Sequence, residues 1–371
     1  MARSKRIAVL TSGGDAPGMN AAIRAATLVA RAAGAEVWGI ERGYRGLLDD
    51  AFVPLDSGDV ASILRDGGTM LGSARCKEFH QREVRDIARI RLAERGIDGL
   101  MVIGGNGSLT GAMHLASPAE LGSQKLQVVG LPASIDNDLG LTGMAIGVDT
   151  AMNTIVEAVD KIADTATAHD RTFIIEVMGR DCGYLAMTSA IASGADLALF
   201  PEAGRTEDQV VASIVDTVIA ARARARRGKR VIIIKAEGVA IAIDKLKTMV
   251  DAALAARSST NNPIEIETRV TVLGHVVRGG RPTAFDRLLG SRLANAGVRA
   301  LLDGHSHKMA AWMPPVELPE EIAARAPADP YVWMVDLAAV LAETENLLQG
   351  RSALSRWRAG VFDQIEDALL L

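Results

Sequence analysis

The chain of 371 residues carries 41 Lys and Arg against 45 Asp and Glu, with 49% hydrophobic and 23% charged residues. That is the balance of a folded globular protein, not of a disordered chain, and the length suits two or three domains or one large α/β unit. The formal net charge of −4 argues against a nucleic-acid binder, while leaving room for a local anion site.

In chain order, short apolar runs predict strands at Ile7–Leu10, Val37–Ile40, Leu100–Ile103, Val128–Leu131, Phe173–Val177, Leu197–Phe200 and Val231–Ile234. Helical spacing falls between them. Asn20–Ala33 carries Ile23, Ala26 and Ala30 on one face, and Thr154–Ala163 does the same with Ile155, Val159 and Ile162. Ala220–Arg230, rich in Arg and Ala, reads as a solvated helix end. From about His305 the chain contains Pro314, Pro315, Pro319, Pro327 and Pro330, which predicts a loop-rich region before helices near Val335–Leu348 and Leu354–Leu371. No run is long enough to cross a bilayer, and Ile7–Leu10 is too short for a signal-peptide core. Cys76 and Cys182 lie far apart with no metal-ligand pattern, so a reducing, cytoplasmic setting without a membrane partner is expected.

Strands alternating with helices imply an α/β fold with mainly parallel sheets covered on both faces, and ligands in such sheets bind beyond the carboxyl ends of the strands. The polar and glycine-rich clusters fall there. Leu10 leads into Thr11-Ser12-Gly13-Gly14-Asp15, and Ile103 into Gly104-Gly105-Asn106-Gly107-Ser108. Leu131 leads into Pro132-Ala133-Ser134-Ile135-Asp136-Asn137-Asp138, Val177 into Met178-Gly179-Arg180, and Ile234 into Lys235-Ala236-Glu237-Gly238.

Glycine turns at a helix start let backbone amides approach phosphate oxygens. The first turn has neither the Gly-Lys-Ser/Thr ending of a Walker loop nor dinucleotide spacing, so a plain strand–helix turn competes with phosphate binding there. The second has three glycines in four positions, more than a turn requires. Asp136 and Asp138 can divide the labour of base and orienter, or form only a solvated turn. Arg75, Arg171, Arg180, Arg269 and Arg278 are forks suited to phosphate, though any one alone is more often a surface ion pair. The segment Thr268–Gly280 is read as placing Arg269, His275 and Arg278 near the two ends of one strand, beside a glycine pair.

Together these motifs resemble bacterial-type ATP-dependent 6-phosphofructokinase. The likeness runs from about Ile7 to Gly304, and it is most specific at Leu10–Asn20, Gly67–Arg75, Ile135–Asp138, Glu176–Arg180 and Val272–Gly280. The resemblance implies two Rossmann-like three-layer α/β/α domains with the active site in the cleft between them. Residues 1–147 with about 277–315 would form the nucleotide-binding domain, and 148–276 with about 316–371 the sugar-phosphate domain. It implies transfer of the ATP γ-phosphoryl to the 1-hydroxyl of fructose 6-phosphate, a glycolytic step, with Mg²⁺. Asp136 matches the general base, and Asp138 a partner for substrate and metal. Ser134, where Thr is usual, Gly13 and Arg75 match contacts to the moving phosphoryl, and Arg180 lies near both phosphoryl and sugar. Met178, Gly179, Glu237, His275 and Arg278 match the sugar-phosphate pocket. Arg171 and Arg269 match arginines lent across a subunit contact, which implies a homotetramer. Tyr44, Gly105, Gly107 and Ser108 match the nucleotide side, where Cys76 replaces an aromatic near the adenine.

Three departures carry expectations. Asn106 stands where the family places Asp near the nucleotide-bound metal, and it could lower activity or mark a low-activity regulatory relative. Gly107 and Ala133 are small and neutral where pyrophosphate-dependent relatives carry Asp and Lys, so ATP is favoured over pyrophosphate. In the effector region Arg24 is retained, Arg226–Arg230 resembles a lysine-rich loop, and Asp196 stands at an acidic position. Leu28, Ala163 and Ser57-Gly58 stand where arginines are usual, so a weakened response to ADP or phosphoenolpyruvate is expected.

Overall fold

The computed structural model describes residues 3–121, 125–224, 230–258, 268–314 and 329–369. Most of the basic run, 226–229, and the prolines at 315, 319 and 327 lie outside the described residues. The chain forms two compact units. Unit 1 is Met1–Thr150 with Arg278–Asn346, and unit 2 is Ala151–Val277 with Leu347–Leu371.

The strands in chain order are β1 (Arg6–Ser12), β2 (Glu36–Ile40), β3 (Phe52–Leu55), β4 (Gly99–Gly104), β5 (Gln127–Pro132), β6 (Thr172–Val177), β7 (Leu197–Leu199), β8 (Val231–Ala236), β9 (Thr268–Val272), β10 (Lys308–Trp312) and β11 (Val332–Asp336). Each apolar run identified above is a strand. In unit 1 the described residues form a seven-stranded sheet in the order β11-β10-β5-β4-β1-β2-β3. Its five central strands are parallel, and the two edges, β3 and β11, pair antiparallel. Every residue of β4 is buried, because helices cover both faces. Helices Met19–Ala32 and Ala284–Leu302 pack together on one face, and Gly43–Leu48, Arg82–Glu94 and Asn106–Leu115 lie on the other. In unit 2 the sheet β7-β8-β6-β9 is wholly parallel. Helices Glu207–Arg224 and Ile243–Arg257 bury Ile214, Val218, Leu246 and Val250 against Ile174 and Ile233. The expected α/β class with mainly parallel sheets holds.

Two local readings change. The region after His305 is not only loop, since Lys308–Trp312 extends the sheet beside β5 and Val332–Asp336 closes its edge. The segment Thr268–Gly280 is not one strand. β9 ends at Val272, and Gly274–Arg278 is a short 3₁₀ turn entered through Gly274 at φ 51°.

In unit 1, β2 lies on one side of β1 and β4 on the other, so the strand order reverses between β1 and β4. A doubly wound sheet opens its ligand crevice outside the carboxyl ends of such a pair.

Candidate active site

At that switch point the turns after β1 and β4 touch. Gly13 sits at φ 89°, and a side chain there would lie 3.3 Å from Ser108 Oγ. A side chain on Gly104 would strike the Ser12 carbonyl at 2.5 Å. Gly14 makes room for Arg278, whose Nη1 would meet a Cβ at 2.6 Å and donates to the Asp15 carbonyl at 3.3 Å. Glycine in both turns therefore has a specific cause, the approach of two backbones and one guanidinium.

The loop carrying Arg75 is strapped to this turn. Asn20 Nδ2 donates to the carbonyls of Asp66 and Gly67, both at 3.1 Å, and its Oδ1 accepts from the Met70 amide at 2.7 Å. Thr11 Oγ1 donates to the Gly72 carbonyl at 2.8 Å, and Ser73 Oγ to that of Gly13 at 2.6 Å. Arg75 itself is exposed, with no hydrogen-bond or ion-pair partner among the described residues.

Gly105 precedes the helix Asn106–Leu115, so the amides of its first turn point out of the helix start. The Asn106 side-chain amide has no partner among the described residues, and a side chain on Gly107 would meet nothing within 4 Å. Tyr44 is buried. Its hydroxyl donates to the Ser108 carbonyl at 2.6 Å and its ring stacks on Phe79 with centroids 4.0 Å apart. Burial drives its phenol far above the ordinary range. Cys76 packs half-buried on the same apolar cluster, where burial first and the neighbouring Glu78 second raise its thiol.

After β5 the loop is locked by Asn137, a residue to which type and spacing alone assign no role. It is fully buried at φ 50°. Its Nδ2 donates to the Gly143 carbonyl at 3.0 Å, and its Oδ1 accepts from the Ala145 amide at 3.0 Å. Asn tolerates this left-handed conformation better than most residues. Its neighbours Asp136 and Asp138 are half-buried, and Ser134 Oγ donates to Asp138 Oδ1 at 2.6 Å. A side chain on Gly105 would come within 3.7 Å of Ser134, so the turns after β4 and β5 are neighbours. Unit 1 thus brings Gly13, Arg75, Gly105, Asn106, Gly107, Ser108, Ser134, Asp136, Asp138 and Arg278 onto the carboxyl ends of three adjacent strands and the loops beside them. The following helix, Val148–Ala168, is held by buried Asp286, which accepts from the amides of Gly147 and Thr150, each at 2.8 Å. Desolvation raises this carboxyl to about 6.

In unit 2 the turns after β6 and β8 interlock. Gly179 sits at φ 129°, and the Gly238 amide donates to its carbonyl at 3.1 Å. A side chain on Gly238 would overlap the Arg180 carbonyl at 1.9 Å. Met178 is buried, whereas Arg180 and Glu237 are exposed, and so are Arg269 on β9 and His275 on the 3₁₀ turn. Arg171, half-buried, precedes β6 at its amino end, away from the Met178–Arg180 turn.

Two open α/β sheets with glycine turns at their carboxyl ends define a protein built to hold phosphorylated small molecules. The sequence matches the family described as phosphofructokinase over residues 6–301, and the chain belongs to that family. It is 47% identical over 308 residues to the ATP-dependent 6-phosphofructokinase of Thermotoga neapolitana, covering 83% of this chain and 89% of that one. It is 44% identical over 301 residues to the Vibrio cholerae enzyme of the same name, covering 81% and 87%. The phosphofructokinase of Pichia pastoris in the T-state superposes with a TM-score of 0.84 at 33% identity, over 100% of this chain but 40% of the yeast chain. A pyrophosphate-dependent phosphofructokinase from Marinobacter aquaeolei superposes at 0.74 with 20% identity over 91% of this chain and 83% of that one, a likeness of fold alone.

Proposed function

We propose that this chain is an ATP-dependent 6-phosphofructokinase that phosphorylates the 1-hydroxyl of fructose 6-phosphate to give fructose 1,6-bisphosphate. The observation that carries this reading is the gathering of two glycine turns and the Ser134–Asp138 loop on β1, β4 and β5. The relatives at 44–47% identity, both ATP-dependent 6-phosphofructokinases, agree with it.

Unit 1 supplies the donor side and the base. Asp136 takes the proton of the 1-hydroxyl, and the freed oxygen attacks the γ-phosphorus as the bond to the β-phosphate oxygen breaks and ADP leaves. Charge on the moving phosphoryl meets the Gly13 amide, the Arg75 guanidinium and the Ser134 hydroxyl. Such a loose transition state needs alignment and cations more than covalent help. Gly105, Gly107 and Ser108 line the nucleotide phosphates, Cys76 faces the base, and Tyr44 acts by holding the Ser108 carbonyl. By the resemblance, Met178, Gly179 and Glu237 serve the sugar, Arg180 the sugar and the phosphoryl, and His275 and Arg278 the sugar-phosphate pocket. Arg171 and Arg269 serve a neighbouring subunit in a cytoplasmic homotetramer.

Mg²⁺ normally takes one or two carboxylates plus substrate phosphates and keeps several waters. Asp138, fixed on one oxygen by Ser134, with the partner-free Asn106 amide, is an oxygen donor set that fits this requirement. When bound, the ion neutralises charge on the β- and γ-phosphates. Among the described residues no helix is long and apolar enough to cross a membrane.

The test is formation of fructose 1,6-bisphosphate from fructose 6-phosphate and Mg²⁺ with ATP or with pyrophosphate. ATP supports turnover, and Asp136→Ala abolishes it while sugar-phosphate binding persists. Turnover with pyrophosphate alone refutes the donor assignment, and a near-normal rate for Asp136→Ala refutes the base.

A further inference from the structure

Lys235 is 1% exposed in a strand whose other residues are apolar, and no step above uses it. It pairs in register with Glu176 on β6. Its Nζ donates to Glu176 Oε2 at 2.8 Å and to the Ala236 carbonyl at 3.3 Å. Glu176 keeps 18% of its side chain exposed. The pair stands where the three turns of unit 2 begin. The Glu237 amide donates to the Val177 carbonyl at 2.9 Å, and the Leu273 amide to that of Glu176 at 3.0 Å. Glu176 precedes Met178 by two residues, as Lys235 precedes Glu237.

Buried ion pairs are poor sources of stability, since desolvation offsets their attraction and apolar replacements of like volume often serve as well. A lysine held here therefore has another use. Left alone, the Glu176 carboxylate would stand beneath turns that must accept a sugar carrying a phosphate dianion. We propose that Lys235 is a positioning residue for the phosphorylated sugar: it cancels the charge of Glu176 and holds that carboxylate down under the Met178–Arg180 turn. The inference rests on the sugar-phosphate reading of unit 2.

The sign of two single substitutions separates charge cancellation from simple bracing. Lys235→Met uncovers the carboxylate, and the KM for fructose 6-phosphate should rise about 5–10-fold, as expected for like charges across a partly screened gap. Both kcat and the KM for ATP should stay within about twofold, and added salt should narrow the defect. Glu176→Gln leaves no anion, so its sugar KM should stay level or fall, and Lys235→Met with Glu176→Gln should return to within about twofold of the parent. Circular dichroism and melting check that each variant is folded. If Lys235→Met does not fold, Glu176→Gln decides by sign. A raised sugar KM in Glu176→Gln, or an unmoved one in folded Lys235→Met, overturns the proposal. A parent chain inactive on fructose 6-phosphate overturns the functional reading itself.

Discussion

Asn137 offers a sharp test of how the two aspartates are held. Replacing it with Ala puts an ordinary side chain at φ 50°, which costs about 1 kcal/mol, and removes two hydrogen bonds, one buried and one part-buried. The buried Ala145 amide loses its side-chain partner, roughly 1–3 kcal/mol for a buried group left unsatisfied, while the bond to the carbonyl of exposed Gly143, where water can take its place, is worth roughly 0.5–1.5 kcal/mol. Asn137→Ala should therefore lose about 3–5 kcal/mol. Asn137→Gly, free of the φ penalty but equally without the bonds, should lose about 1 kcal/mol less. Urea unfolding followed by circular dichroism measures both. At a temperature where both variants stay folded, kcat should fall by about 10²-fold, because a misplacement of about 1 Å is worth that much. A loss below about 1 kcal/mol for Asn137→Ala, or wild-type turnover in either variant, would refute the claim that this one side chain sets the loop.

Two further outcomes follow from the geometry. Asn106→Asp places a carboxylate at a helix start, where it meets no partner to displace and gains about 0.3–1 kcal/mol from the helix field. Its kcat with MgATP should rise, by as much as about 10²-fold on the scale of one lost transition-state group, and an unchanged or lower rate would show that the amide already suffices. Glu120 accepts from Arg85 at 2.9 Å and also pairs with Arg89, both arginines being buried, and these hydrogen bonds hold its carboxyl down at about 2. A folded-state value below the ordinary one means stability that is present above about pH 4.5 and lost as pH falls towards 2. Glu120→Gln should flatten that acid limb in pH-dependent melting, and an unaltered limb would refute the pairing.

What could be read before folding was whatever repeats locally. Ile7–Leu10, Leu100–Ile103 and Val231–Ile234 are unbroken apolar runs because their strands are buried on both faces, and the glycines after them announce the turns. The edge of the large sheet was not legible. Lys308–Trp312 is built around two alanines, and its strand character comes from pairing with β5 and β11, a tertiary cause. The same holds at the site. Asp136 and Asp138 declare themselves as titratable groups, whereas the work of Asn137 depends on two backbone groups at Gly143 and Ala145 that no spacing rule predicts. Tyr44 is matched to the nucleotide side by resemblance alone, and its burial and its bond to the Ser108 carbonyl could not be read from spacing. Lys235 hides inside an apolar run until β6 places Glu176 opposite it.

The chain threads from one unit to the other at Thr150, Val277 and Asn346, so neither unit is a contiguous stretch of sequence. Emergence from the ribosome then has a definite order. β1 to β5 are translated first, but β5 lacks its outer neighbour until Lys308–Trp312 arrives. At ordinary elongation rates that delay is on the order of 10–40 s. For that time Val128, Val129 and Leu131, fully buried in the finished sheet, line an open strand edge of the kind that invites aberrant strand addition. Newly made copies in a crowded cell are thus exposed to self-association until the late strand docks, and holding chaperones have a specific edge to shield.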